Sequence, residues 1–201
     1  MPRLQLTKSA LAHETRQLET FRRFLPSLDL KRQQLMVERK KAAAAKAGLE
    51  AEIEALRTRV ARTLPMLADT GVDLSGLVRV AVVEIGWQNV LGTRLPVLGA
   101  VHIEARDYSP LARPHWVDAA VTSLRRMLEL RIRVQIEARR VALLEQAVKT
   151  ITQRVNLFDK VLIPRTKANV KRIKVHLSDA EMSAVTRSKI AKRKYAAARA
   201  P

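Results

Sequence analysis

The residues with the clearest chemical potential are cations, and they gather towards both ends of the chain. Lys and Arg number 38 against 19 Asp and Glu, which gives a net charge of +19 at pH 7. Residues 165–201 hold eleven cations against Asp179 and Glu181, and residues 1–46 hold eleven cations against four acidic residues. Such a concentration of like charge repels itself, so it predicts binding to an acidic partner.

The most basic stretch is the C-terminal tail, which contains Arg187, Lys189, Lys192 and Arg193. Three interpretations fit its composition. It can be a solvated helix end, a phosphate-binding patch with salt-sensitive affinity, or a cationic tip that docks into an acidic protein cavity. Tyr195 is the only aromatic residue of the tail, which gives little support to base stacking.

Catalytic and metal-binding patterns do not emerge from the sequence. The four histidines are scattered without an i, i+4 pair, and cysteine is absent. Residues 86–92 lack the Lys-Ser/Thr that completes a phosphate-binding loop. Glu137 is the one acidic residue in an apolar helix stripe, where we expect it to pair with Lys46 or Arg39 across the coil. We therefore predict a protein that is not an enzyme, with no catalytic residue, no metal site and no cofactor.

The elements that position the cations are two long arms with apolar residues at alternating steps of three and four. A stripe this narrow is buried by pairing with a second helix. Thr7 is a suitable N-cap for the first arm, and Pro26 predicts a kink or short break near Phe24–Asp29. The predicted seam of the coil comprises Leu18, Phe21, Leu35, Leu49, Ile53, Leu56, Leu144, Val148, Ile151, Val155, Phe158 and Leu162.

The spacing of the second arm changes after Leu162. The strict heptad positions become Arg165, Asn169 and Arg172, which are polar. An apolar line continues instead through Thr166, Val170, Ile173, Leu177, Ala180 and Ala184. We interpret this offset as a stutter that locally unwinds the supercoil, at the place where Pro164 also weakens the helix.

Between the arms, residues 77–85 and 95–103 are rich in β-branched side chains and predict two strands, with Gly86–Thr93 as the loop of a hairpin. The predicted fold is mainly α: a long antiparallel two-helix coiled coil with a small central hairpin. The predicted domains are an N-terminal helix over 1–64, a central region over 65–114, and a C-terminal helix with a basic tail over 115–201. No apolar run is long enough for a signal peptide or a membrane span, so we expect a soluble, cytoplasmic protein.

Three segments, in order along the chain, resemble the D subunit of the V-type and archaeal/bacterial A-type ATPases. They are Leu28–Leu35, Asn89–Val97, and Val155–Pro164 followed by Lys167–Val170. The resemblance covers essentially the whole chain. Pro26 departs from the uninterrupted helix that is expected of the family.

This resemblance implies a central rotor shaft that transmits torque between a catalytic ring and a membrane rotor, and so couples ATP hydrolysis or synthesis to ion transport. The implied partners are the catalytic and non-catalytic ring subunits, the small F subunit of the central stalk, and a socket protein that faces the loops near 65–76 and 107–114. The implied ring contacts are Lys8, Arg165, Lys167, Lys171, Arg172, Lys174, Arg187, Lys189, Lys192 and Arg193. The implied hairpin contacts with a partner are Asn89, Val90, Leu91, Arg94, Leu95 and Pro96. The alternative from the residues alone is a coiled-coil protein that binds nucleic acid or ribosomes through its basic ends.

Overall fold

The computed structural model describes residues 4–68, 74–106 and 113–198. Helix α1 spans Lys8–Thr63, and a 3-10 turn follows at Pro65–Ala68. Thr7 caps α1 as predicted, because its hydroxyl oxygen accepts a hydrogen bond from the amide of Ala10 at 3.2 Å. Two parts of the predicted loops, residues 69–73 and 107–112, lie outside the described residues.

Helix α1 continues through Pro26, so the short break that was one of the two predictions for Phe24–Asp29 does not occur, and the kink stays a prediction. Proline removes one amide donor from the ladder. The helix is anchored on both sides of this position by the buried side chains of Leu18 and Leu35. Ser27 also donates its hydroxyl to the carbonyl of Phe24 at 2.8 Å. Packing therefore outweighs the local cost of the proline.

The second arm consists of helix α2 at Val117–Leu157 and helix α3 at Ile163–Ala198, joined by a π-helical turn at Phe158–Leu162. In this turn the amide of Ile163 donates to the carbonyl of Phe158, five residues earlier. The offset in the apolar pattern predicts an irregularity here, which we interpreted as local unwinding of the supercoil. The structure places the irregularity in the helix backbone itself.

The middle of the chain forms an antiparallel β hairpin of strands β1 (Val78–Val90) and β2 (Thr93–Ala105). The predicted loop over Gly86–Thr93 is wrong, because Gly86 already pairs with Val97. Only Leu91 and Gly92 form the turn, with φ of 53° and 81°. Positive φ at both positions fits the twist of a tight two-residue hairpin.

The chain divides into two compact units. The terminal unit comprises Met1–Lys31 and Ile151–Pro201, and the central unit comprises Arg32–Thr150. The fold class is confirmed: it is mainly helical, with a long helix on each side of a small hairpin. Among the described residues, none of the helices has the length of apolar sequence needed to cross a bilayer.

Within the terminal unit, α1 runs antiparallel to the end of α2 and to α3. The Phe21 and Phe158 rings meet edge to face with 5.4 Å between centroids. The amide of Asn169 donates to a carboxylate oxygen of Glu14 at 3.2 Å. These pairs fix which faces of the helices are covered and which remain free.

Within the central unit, an apolar cluster lies where α2 begins. Its buried members are Leu64, Leu77, Trp116, Val117, Ala120 and Val121. The cluster ties the end of α1, the start of β1 and the start of α2 together. Further along the helices, Arg126 contacts Glu52 at 3.5 Å, which again indicates antiparallel pairing.

Candidate functional site

The predicted seam residues are all buried or half-buried. The buried ones are Leu18, Leu35, Ile53, Leu144, Ile151 and Val155, and the half-buried ones are Phe21, Leu49, Leu56, Val148, Phe158 and Leu162. Burial of these side chains supplies most of the free energy that pairs the helices. The seam leaves the opposite helix faces free to contact other molecules.

The basic part of α3 presents its cations to solvent. Thr166 and Ile173 are buried, and Ile173 has 0% exposure. The cations between and around them are exposed: Arg165, Lys167, Lys171, Arg172 and Lys174. The apolar line that starts at Thr166 is thus the buried one, as predicted, and the strict heptad positions Arg165 and Arg172 face outward. The inner face of this part of α3 is therefore shielded from solvent, and its outer face is cationic.

Arg165 also lines a polar recess near the start of α1. The recess has a volume of about 480 Å³ and is bordered by His13, Glu14 and Asn169 as well. Lys8, at the first turn of α1, lies 3.5 Å from the carboxylate of Glu181, and both side chains are largely exposed. Lys8 therefore marks the last position at which α1 and α3 are seen in contact.

Residues 178–195 of α3, which include Glu181, are all exposed. Arg187, Lys189, Lys192 and Arg193 lie on this segment. The apolar line predicted to continue through Ala180 and Ala184 is not buried there, since both residues are exposed. The segment is an uncovered basic helix.

Sequence reasoning missed the exposed apolar residues on the same segment. Met182, Val185 and Ile190 are exposed at 60%, 54% and 50%, and Tyr195 at 77%. Their spacing gave no clear second stripe, so the cations alone drew attention. A partner that binds this helix has both charge and apolar surface to contact.

The hairpin residues implied as partner contacts fall into two groups. Asn89 and Arg94 are exposed and Val90 and Leu91 are half-buried, whereas Leu95 and Pro96 are buried. Because Leu95 has 0% exposure, it and Pro96 support the hairpin from within and offer no free surface to a partner. The sequence could not show this, since it does not indicate which strand lies against the helices.

Strand β2 lies beside the helices and β1 faces outward. A recess bounded by Val97 and Leu98 on one side is bounded by Leu49 and Ile136 on the other. None of the residues of β1 is buried. Large apolar side chains on it are exposed: Val80, Val82, Ile85 and Trp87. The outer strand therefore offers an apolar surface that sequence analysis did not single out.

The ion pair predicted for Glu137 is wrong. Its carboxylate lies 3.0 Å from the guanidinium of Arg140, in the same helix, and Lys46 lies 3.4 Å from Glu50. Both pairs join residues three or four positions apart, which are neighbours on one helix face. Pairing within each helix thus takes the place of the predicted bridge across the coil.

The central unit also has an apolar recess of about 490 Å³. Its lining includes Val60, Leu64, Leu67, Leu124 and Met127. Among the described residues, no three histidine, aspartate or glutamate side chains lie close enough together to hold a metal ion.

Comparison with known proteins gives one family for almost the entire chain. Residues 10–193 match the family of the ATP synthase D subunit. The V-type ATP synthase D subunit of Borreliella burgdorferi is 31% identical over 192 residues, which cover 96% of this chain and 95% of that protein. The protein of the same name from Chlamydia felis is 30% identical over 196 residues, covering 95% and 93% of the two chains. The chain belongs to the ATP synthase D-subunit family.

Proposed function

We propose that this chain is the central rotor shaft of a V/A-type ATPase. It transmits torque between the catalytic ring and the membrane rotor, and so couples ATP hydrolysis or synthesis to ion transport. The chain itself is non-catalytic and works on the cytoplasmic side, peripheral to the membrane. The observation that carries this proposal is the terminal unit, whose paired helices keep the seam inside and the cations of α3 outside.

Asymmetry of the paired helices supplies the coupling. Two antiparallel helices have no three-fold symmetry, so three nucleotide sites around them meet three different surfaces. Each surface favours a different state of the adjacent site, and nucleotide binding favours particular shaft angles in return. Torque is transmitted only if the helices stay paired, which burial of the seam residues provides.

The ring contact is assigned to the cations of α3 and to Lys8. Exposed Lys and Arg side chains form weak pairs that break and re-form easily, which suits a surface that must turn inside its partner. The exposed apolar side chains of Met182, Val185 and Ile190 add contact area. Apolar contacts do not require particular charged residues to lie opposite each other.

Two further contacts belong to the central unit. We assign the small F subunit of the stalk to the hairpin, through Asn89 and Arg94 and the exposed apolar side chains of β1. We assign the socket protein to the end of the unit that carries the apolar recess around Leu64 and Met127. Burial of these apolar groups by a partner would stabilise both complexes.

The proposal is tested by charge reversal on α3. A variant with Arg165, Lys167, Lys171 and Arg172 all changed to Glu should bind the reconstituted ring at least about tenfold more weakly near 0.1 M salt, since each exposed pair contributes about 0–1 kcal/mol. The matched control changes the exposed Arg125, Arg131, Arg139 and Lys149 of α2 to Glu, which shifts the net charge equally. Binding is measured by native gel and by ATPase activity.

Equal weakening by both variants would show that only net charge matters, and unchanged binding by the α3 variant would remove the proposed ring contact. Failure of the wild-type chain to enter the ring would overturn the shaft proposal itself. The nucleic-acid alternative predicts the opposite pattern in a pull-down from native extract. Nuclease-sensitive recovery of ribosomal or nucleoid proteins would support it, and recovery of the nucleotide-binding ring subunits would exclude it.

A further inference from the structure

The seam of the terminal unit contains one residue more than a heptad repeat requires. Up to Leu162 the steps alternate between three and four residues, and then two four-residue steps lead to Thr166 and Val170. The structure buries Thr166 and Ile173 and exposes Arg165 and Arg172, which precede them by one position. The seam is therefore displaced by a single residue along the chain.

The π turn accommodates that residue. A π-helical turn closes its hydrogen bond over five residues instead of four, so it holds one residue more than an α-helical turn. The bond from the amide of Ile163 to the carbonyl of Phe158 is of this kind. The shift of the buried line and the wide turn are two consequences of the same extra residue.

One α-helical backbone hydrogen bond is missing on the C-terminal side of this turn. Pro164 has no amide hydrogen, so the carbonyl of Lys160 lacks its usual α-helical donor. The hydroxyl of Thr166 donates to the carbonyl of Leu162 at 2.8 Å. None of the five residues of the turn is buried. Phe158 and Leu162 are half-buried and the other three residues are exposed, so packing on only two side chains opposes a change in the geometry of the turn.

Helix α1 has a weak point of its own close by. Phe21 meets Phe158, the first residue of the π turn, and Pro26 follows Phe21 by five residues, about 7.5 Å along a helix axis. Each helix of the pair therefore lacks a backbone hydrogen bond at a proline, and the two positions lie within a few helical turns of each other. Sharp changes of helix direction or twist occur at such positions.

We propose that the π turn Phe158–Leu162, together with Pro26, is a compliant joint of the terminal unit. At this joint α3 twists relative to the last turns of α2, Ile151–Leu157, while Thr166 and Ile173 keep their places in the seam. The use of the joint rests on the proposed function: with the basic segment held by the ring, it stores twist between successive nucleotide events. Its physical existence does not depend on that function.

The first test is hydrogen exchange on the full-length chain. Amides of residues 158–166 should exchange on the order of tenfold faster than those of the regular helix at 144–155, because their opening needs less free energy. Equal protection in the two segments would overturn the proposal. This measurement needs no variant and no partner, so it is independent of whether the chain enters a ring.

The second test deletes Lys160, an exposed residue of the π turn. Removing it shortens the step from Phe158 to Thr166 from eight residues to seven, which is one heptad. The turn should therefore become α-helical, with Thr166 and Ile173 still in the seam. Ile163 takes the seam position that Leu162 holds in the wild type. The variant should retain or raise the melting temperature and lose the fast exchange. The control deletes the exposed Lys149 from regular α2, which moves the buried Ile151 and Val155 out of phase with Leu144 and should lower the melting temperature.

If deletion of Lys160 destabilises the chain as much as deletion of Lys149, the π turn does not accommodate the extra residue of the seam, and the proposal fails. In the assembled motor, the Lys160-deleted shaft should still assemble but show narrower angular fluctuation of a bead on the shaft during pauses. Unchanged fluctuation would overturn the stored-twist role. Failure of both wild type and variant to assemble would count against the proposed function instead.

Discussion

The terminal unit joins its helices along one seam, whereas the central unit adds a β hairpin and an apolar cluster to the same kind of helix pair. Their charges also differ. The terminal unit has 19 Lys and Arg against 6 Asp and Glu, a net +13, and the central unit has 19 against 13, a net +6. The central unit satisfies many of its charges internally, through pairs such as Arg126 with Glu52 and Arg140 with Glu137. The net positive charge of the chain is therefore concentrated in the terminal unit.

Under the proposed function, the two units divide the requirements of a shaft. Burial and internal pairing make the central unit a platform on which partners can be held in fixed places. The terminal unit is stabilised by fewer kinds of contact, and its outer surface is left charged and adaptable. Three predictions test this difference, in order of decreasing effect.

Cavities in the seam should have the largest effect. Leu144→Ala in the central unit and Ile173→Ala in the terminal unit each remove a side chain with at most 1% exposure, and each should lower the free energy of unfolding by about 2–5 kcal/mol. Hydrogen exchange should show that Ile173→Ala loosens residues 8–31 and 163–180 more than the hairpin. Val175→Ala, at an exposed position of α3, is the control and should change stability by less than about 1 kcal/mol. Loosening of the hairpin as large as that of α3 would contradict separate units.

Two glycines of the central unit should respond in opposite directions. A Cβ at Gly99 would lie 3.2 Å from the Cβ and carbonyl oxygen of Glu84, so Gly99→Ala should destabilise the hairpin by about 1–3 kcal/mol. A Cβ at Gly48 would meet no atom within 4 Å, so Gly48→Ala should stabilise α1 by about 0.5–1 kcal/mol. Chemical denaturation of both variants measures the difference. A stabilising Gly99→Ala would show that β1 and β2 are not closely paired at this position.

Ion pairs should have the smallest effect and should separate the units by exposure. Glu137→Gln breaks the half-buried pair with Arg140 in the central unit, and Glu181→Gln breaks the exposed pair with Lys8 in the terminal unit. The first should cost up to about 1 kcal/mol and the second close to zero, because solvent screens the exposed pair. Thermal melts at low and high salt measure both. A larger loss for Glu181→Gln would mean that the start of α1 is held mainly by charge.

The helices and their inner faces could be predicted from the sequence because burial repeats with the period of the coil. The displaced line through Thr166 and Ile173 was visible for the same reason. The form of the adjustment was not, since a stutter in the supercoil and a π turn in the backbone both absorb an offset in the apolar pattern.

The errors have local physical causes. The hairpin turn was hidden because Leu91, a residue that rarely takes positive φ, occupies its first position, while Gly86 looked like a turn residue but lies within a strand. Glu137 was assigned to the wrong cation because neighbours three positions away on the same helix compete with partners across the coil. The burial of Leu95 and Pro96 depends on how the hairpin lies on the helices, which periodicity does not encode.

Under the proposed function, the terminal unit, with its outward cations, is the part of the chain that turns inside the ring. Site-specific photo-crosslinking in the reconstituted complex tests this role most directly, with the photoreactive residue at Lys171 of α3 or, for comparison, at Arg125 of α2. The account predicts that position 171 crosslinks to the ring subunits, to more than one copy during ATP hydrolysis, and that position 125 does not. Crosslinking of position 171 only to the socket protein or to the small F subunit of the stalk would contradict it.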